Sequence, residues 1–201
     1  MDIARSRLYF VTDAIPVARL EAALTGGVDI VQLRLKDSSD EEIVEVAREF
    51  RAVCDPSRAL LVLNDRPDLV DACAADGVHV GQEDAAPAAA RAAVGPGRIV
   101  GLSTHSREQL DAAMDEPVDY VAVGPVFQTP TKPGRLPVGR ELVRYAAETS
   151  KLPWFAIGGI DRGNAGEVVA AGADRIAVVR AIRDADDPRA AARELRAFLP
   201  A

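Results

Sequence analysis

Short apolar runs rich in Val, Ile and Leu alternate along the chain with Ala/Leu/Glu/Arg segments of helical period. The runs predict strands at 8–13 (LYFVTD), 28–34 (VDIVQLR), 59–64 (ALLVLN), 77–81 (GVHVG), 98–103 (RIVGLS), 119–124 (DYVAVG), 153–159 (PWFAIGG) and 174–179 (DRIAVV). The intervening segments predict helices near 16–25, 39–53, 67–75, 85–94, 106–115, 139–149, 163–171 and 187–198. Ser38 or Ser39 suits the cap of the second helix, whose first turn carries Asp40, Glu41 and Glu42. Thr25-Gly26-Gly27 and Ala171-Gly172 are stop signals.

Strand and helix thus alternate eight times. Strands that are apolar at nearly every position are buried on both faces, which implies a parallel sheet covered by helices. Eight such units favour closure, so the expected fold is α/β, a single (β/α)8 TIM barrel domain spanning residues 1–201. At 201 residues the chain is short for eight units, though long enough for a sizeable core. The loop after the sixth strand, GPVFQTPTKPGRLPVG (124–139), is long and rich in Pro and Gly, which points to function at that strand end.

Composition narrows the class of partner. A net charge of −7, with the basic residues scattered, speaks against nucleic acid and against an acidic membrane surface. No apolar run approaches the roughly 20 residues that span a bilayer, and MDIARSRLYFVTD lacks the apolar core of a signal peptide. Cys54 and Cys73 lack metal-ligand spacing and read as buried free thiols of a cytoplasmic protein. Only three lysines, Lys36, Lys132 and Lys151, stand among 24 basic residues, so a lysine at a strand end marks a need for a compact point charge.

Active sites of such barrels form where strands end. Gln32, Arg34 and Lys36 occupy alternate positions opposite apolar Val31, Leu33 and Leu35, so they converge on the barrel mouth and suit a phosphate or diphosphate. Asn64, Asp65 and Asp84 offer hard oxygen donors for Mg²⁺, while Asp65 equally suits a cap for a helix beginning near Pro67. Thr129, Thr131 and Lys132 lie in the long sixth loop. Gly158-Gly159 and the turn at Val179-Arg180 stand where barrels commonly form a phosphate cup. His79, inside VHV, reads as an interior hydrogen-bonded histidine, and His105 follows Ser103 at a loop end.

The segments YFVTD, VQLRLKD, NDRPDLV, GVHVGQED, GLSTHS, DYVAVGPVFQTPTKPG, FAIGGI and GADRIAVVRAI together resemble thiamine-phosphate synthase, in order, from about residue 8 to 183. The resemblance implies a barrel transferase that joins hydroxymethylpyrimidine diphosphate to thiazole phosphate, releasing diphosphate. It implies diphosphate and pyrimidine contacts at Gln32, Arg34, Lys36, Asn64, Ser103 and Lys132, with Arg34, Lys36, Lys132 and Ser103 as the catalytic set. It implies Mg²⁺ ligands at Asp65 and Asp84. The thiazole phosphate would meet Thr129, Thr131 and Gly159, with the backbone at Val179 and Arg180 closing the cup. Many members carry a small residue such as Ser where this sequence has Arg180. Two rivals are a thiazole tautomerase of the same superfamily and a non-catalytic barrel that binds a phosphorylated metabolite. The expected partners are phosphorylated small molecules, and a homo-oligomer is compatible with the sequence.

Overall fold

In the computed structural model, residues 2–129 and 136–200 are described. Eight parallel strands close into a barrel in chain order: β1 Leu8–Thr12, β2 Ile30–Leu33, β3 Leu60–Asn64, β4 Gly77–Val80, β5 Ile99–Thr104, β6 Tyr120–Val123, β7 Trp154–Ile157 and β8 Ile176–Val178. Closure comes from β1 pairing with β8, with Tyr9 opposite Ala177. The helices are α1 Val17–Thr25, α2 Asp40–Ser57, α3 Pro87–Val94, α4 Arg107–Ala113, α5 Gly139–Thr149, α6 Ala165–Ala170, α7 Arg180–Arg183 and α8 Pro188–Arg196. Ser39 caps α2, its side chain accepting from the Glu42 N–H at 3.2 Å.

Period two along each strand divides the core in two. Leu8, Phe10, Val31, Leu33, Leu61, Leu63, Val78, Val80, Val121 and Val123 face the helices and join the outer core. Tyr9, Val11, Ile30, Leu60, Val62, Tyr120, Phe155 and Ala177 fill the barrel interior. A fully buried aliphatic side chain contributes about 1.5–3 kcal/mol, so this double layer is the main source of stability.

At the N-terminal end of the barrel, three aspartates brace neighbouring strands. Asp29 Oδ2 accepts from the N–H groups of Arg7 and Leu8 at 2.7 and 3.0 Å. Asp76 Oδ2 accepts from the Leu61 N–H and pairs with Arg51, both at 2.7 Å. Asp119 Oδ2 accepts from the Val100 N–H at 2.7 Å and pairs with Arg91 at 2.5 Å.

Beyond β3, two elements differ from the sequence reading. Residues 67–75 form a 3-10 turn, Pro67–Leu69, followed by further turns instead of a helix. Cys73, Ala74 and Ala75 donate to the carbonyls of Leu69, Asp71 and Val70, a mixture of spacings that no regular helix shares. Ala74 also takes a left-handed φ of 48° as the chain turns back into β4. The second difference is α7, a single turn directly after β8 that the periodicity did not reveal.

Candidate active site

The ends of β2, β3 and β4 gather one polar group. Gln32, on the interior face with Ile30, is buried and donates from Nε2 to the Tyr9 hydroxyl at 2.7 Å. The strand stops at Leu33, but the Arg34 N–H donates to Thr12 O at 2.8 Å and carries the pairing with β1 one residue further. Lys36 lies in a bend beyond it, half exposed, with Nζ 3.9 Å from Asp65 Oδ2.

Asn64 ends β3 and its Nδ2 donates to Asp65 Oδ2 at 2.5 Å. Asp65 takes a left-handed φ of 61°, and its N–H donates to His79 O at 2.9 Å. It caps nothing: the turn at Pro67 begins at Arg66 without a side-chain cap. Its carboxyl instead faces Asp84, whose Oδ2 accepts from the Gly81 N–H at 2.9 Å. A Cβ on Gly81 would lie 2.6 Å from that oxygen, so a side chain there would shift the Asp84 carboxylate. Burial, then the hydrogen bond and negative charge of Asp84, raise the Asp65 pKa, with Lys36 opposing.

On the opposite side of the mouth, a cavity of about 510 Å³ lies over the ends of β5 to β8. Ser103, Thr129, Gly159, Val179 and Arg180 line it. Gly158 and Gly159 have φ of 104° and 65°, and a Cβ on Gly159 would stand 2.7 Å from Gln128 O. The glycine turn is held from two directions: Phe127 N–H donates to Gly158 O at 2.9 Å, and Asn164 Nδ2 donates to Gly159 O at 2.8 Å. The first turn of α7 begins at Arg180, so its leading N–H groups have no partner within the helix and border the cavity. Arg180 is exposed on this rim, and its charge adds to the Arg183 hydrogen bond that holds Asp184 below the usual carboxylate range.

Gln32, Arg34, Lys36, Asn64, Asp65 and Asp84 therefore stand at or just beyond the ends of three neighbouring strands, and the glycine-lined cavity lies at the ends of the next four. Thr131 and Lys132 lie outside the described residues. Sequence reasoning missed Tyr9 and Tyr120, whose hydroxyls meet at 2.8 Å inside the barrel. The available signal was a phenol at an inward strand position, where no water reaches and a partner is needed. His79 is the interior hydrogen-bonded residue expected, with its ring nitrogens 3.0 Å from Tyr120 Oη and 2.9 Å from Ser103 Oγ. His105 Nδ1 lies 2.5 Å from Gly124 O.

The described residues contain no group of three or more His, Cys, Asp or Glu able to hold a metal, and no helix long and apolar enough to cross a membrane.

The profile of the thiamine monophosphate synthase family matches residues 8–182. A thiamine-phosphate synthase of Gloeobacter violaceus is 50% identical over 92% of this chain and 55% of that protein. The chain thus spans about half the length of that relative. A thiamine-phosphate synthase of Thermus thermophilus is 48% identical over 94% of this chain and 95% of its own length. Among solved structures, a thiamine phosphate pyrophosphorylase from Pyrococcus furiosus superposes with a TM-score of 0.89 at 36% identity, covering 98% of this chain and 96% of that one. With its barrel, its polar strand ends and this match over most of its length, the chain belongs to the thiamine monophosphate synthase family.

Proposed function

We propose that this chain is a transferase that joins hydroxymethylpyrimidine diphosphate to thiazole phosphate, giving thiamine phosphate and diphosphate. The observation that carries the reading is the pair of facing subsites: a cationic and carboxylate rim at β2–β4 and a glycine-lined cavity at β5–β8. One suits a diphosphate, the other a phosphate monoester.

In the reaction the bond from the pyrimidine methylene to the diphosphate oxygen breaks, and diphosphate leaves with the electron pair. The pyrimidine amine feeds density to the methylene as positive charge develops there. The lone pair of the thiazole nitrogen then forms the new C–N bond, so no side-chain nucleophile is needed. Arg34, Lys36 and Lys132 stabilise the negative charge on the leaving group, where electrostatic stabilisation lowers the barrier most. Gln32, Asn64 and Ser103 orient the pyrimidine and its diphosphate. Thr129, Thr131, Gly159 and the backbone of Val179 and Arg180 hold the thiazole phosphate.

The neighbouring carboxylates of Asp65 and Asp84 are hard oxygen donors at adjacent strand ends, the donor type that suits Mg²⁺. Bound by Asp65 and Asp84, Mg²⁺ would supply positive charge to the departing diphosphate. The buried thiols of Cys54 and Cys73 support a cytoplasmic setting.

The test is incubation of the protein with both substrates and Mg²⁺, with detection of thiamine phosphate. Product that forms with Mg²⁺ and disappears on exhaustive chelation is expected. Full turnover under chelation would remove the metal, and absence of product would remove the transferase. Binding of both substrates without product would favour a metabolite-binding barrel.

A further inference from the structure

Five buried polar side chains from five strands form one hydrogen-bonded line through the barrel interior. Gln32 on β2 donates from Nε2 to Tyr9 Oη on β1 at 2.7 Å. Tyr9 Oη meets Tyr120 Oη on β6 at 2.8 Å, and Tyr120 Oη meets His79 Nδ1 on β4 at 3.0 Å. His79 Nε2 meets Ser103 Oγ on β5 at 2.9 Å. All five residues are at most 8% exposed. Phe155 stacks edge-on against both tyrosine rings, at 5.3 and 5.6 Å between centroids. Gly101 makes the crossing possible, since a Cβ there would sit 2.1 Å from Tyr120 Cζ.

Counting protons gives the line a direction. A carboxamide nitrogen only donates, so Tyr9 Oη accepts from Gln32 and must send its own proton to Tyr120. Tyr120 then has one acceptor left for its proton, His79 Nδ1. The proton of the neutral imidazole therefore sits on Nε2 and points at Ser103 Oγ. With its oxygen already accepting, Ser103 turns its own hydroxyl proton toward the cavity that it lines. Burial raises the pKa of both phenols, which keeps one proton on each oxygen. Reversing either link made by Tyr120 would leave a buried phenol proton without an acceptor, a penalty of about 1–3 kcal/mol.

We propose that Tyr9, Tyr120 and His79 are positioning residues that couple the amide of Gln32 to Ser103 and fix Ser103 as a hydrogen-bond donor to the substrate. The functional half of this rests on the transferase reading above; the proton order rests on geometry alone. The line ties the β2 subsite to the edge of the β5–β8 cavity. The orientation of one ligand-facing group is then set by another on a different strand.

The chain has two histidines, so ¹⁵N-histidine labelling of the whole protein gives a readable spectrum. In the wild type, the ring nitrogen shifts of His79 should show Nδ1 unprotonated and Nε2 protonated. Gln32→Glu replaces the donating amide with a carboxylate that accepts, which should reverse the line and place a proton on Nδ1. Tyr120→Phe in the Gln32→Glu background should remove that response, because the relay is cut. A proton on His79 Nδ1 in the wild type would overturn the inference, whether or not either variant folds. So would a His79 spectrum that ignores Gln32→Glu. None of these readings depends on turnover, so failure of the transferase assay leaves them intact.

Discussion

Gly101 and Tyr120 show how a single position sets what the interior can hold. The tyrosine ring passes over the glycine so closely that a methyl at 101 would lie 2.1 Å from Cζ and 2.5 Å from the hydroxyl oxygen. Gly101→Ala should therefore push the ring from its place between Tyr9 and Phe155. Overpacking of this kind costs about 1–3 kcal/mol, which a shift in the urea midpoint at unchanged slope would register. An unchanged midpoint would mean that the ring yields without strain. Residue-level chemistry was partly legible. The alternation of Gln32, Arg34 and Lys36 with Val31, Leu33 and Leu35 told which side chains face the helices: Val31 and Leu33 lie in the outer core and Leu35 packs against it. The pairing of Tyr9 with Tyr120 is not legible in the sequence, because β-strand composition welcomes tyrosine and nothing local says that two distant phenols will meet.

Element boundaries follow from the same logic with one systematic error. Asp29 and Asp119 fall inside the predicted strands 28–34 and 119–124, yet β2 and β6 begin one residue later. Each aspartate serves as a brace across the barrel floor, a long-range role that strand patterning cannot express. Conserving such contacts at the floor of a barrel serves stability and not chemistry. Asp119→Ala removes the acceptor of the Val100 N–H and leaves Arg91 without its carboxylate. The variant should lose about 1–3 kcal/mol of stability while its kcat/KM at moderate temperature stays at the wild-type value. A loss of activity without loss of stability would contradict this division between floor and mouth. Residues 67–75 depart from the helix their apolar spacing predicts for a related reason: the return to β4 is made by turns of mixed hydrogen bonding.

At the scale of the whole molecule, chain order around the barrel separates the two proposed subsites. The cationic and carboxylate rim belongs to β2, β3 and β4, and the glycine-lined cavity belongs to β5 through β8. Consecutive strands lie side by side, so each half of the sequence brings its own half of the mouth, and this was legible from the eightfold alternation. Which residues cross between the halves was not legible, because the interior hydrogen-bonded line joins β1, β2, β4, β5 and β6 without regard to sequence order. Separate halves predict separable kinetics. Arg34→Ala should raise the KM for the diphosphate substrate or lower its kcat/KM by about 10- to 150-fold, the worth of a charge-assisted contact of roughly 1.5–3 kcal/mol. The thiazole phosphate should be little affected. Thr129→Ala should do the reverse on a smaller scale, about 2- to 10-fold for a neutral hydroxyl. Because the two residues belong to different strand ends, the double variant should show the sum of the two free-energy losses within about 0.5 kcal/mol. Steady-state rates with each substrate varied in turn decide the matter. Equal penalties on both substrates from either single variant would mean that the two halves act as one site, and the assignment of a subsite to each half would fall.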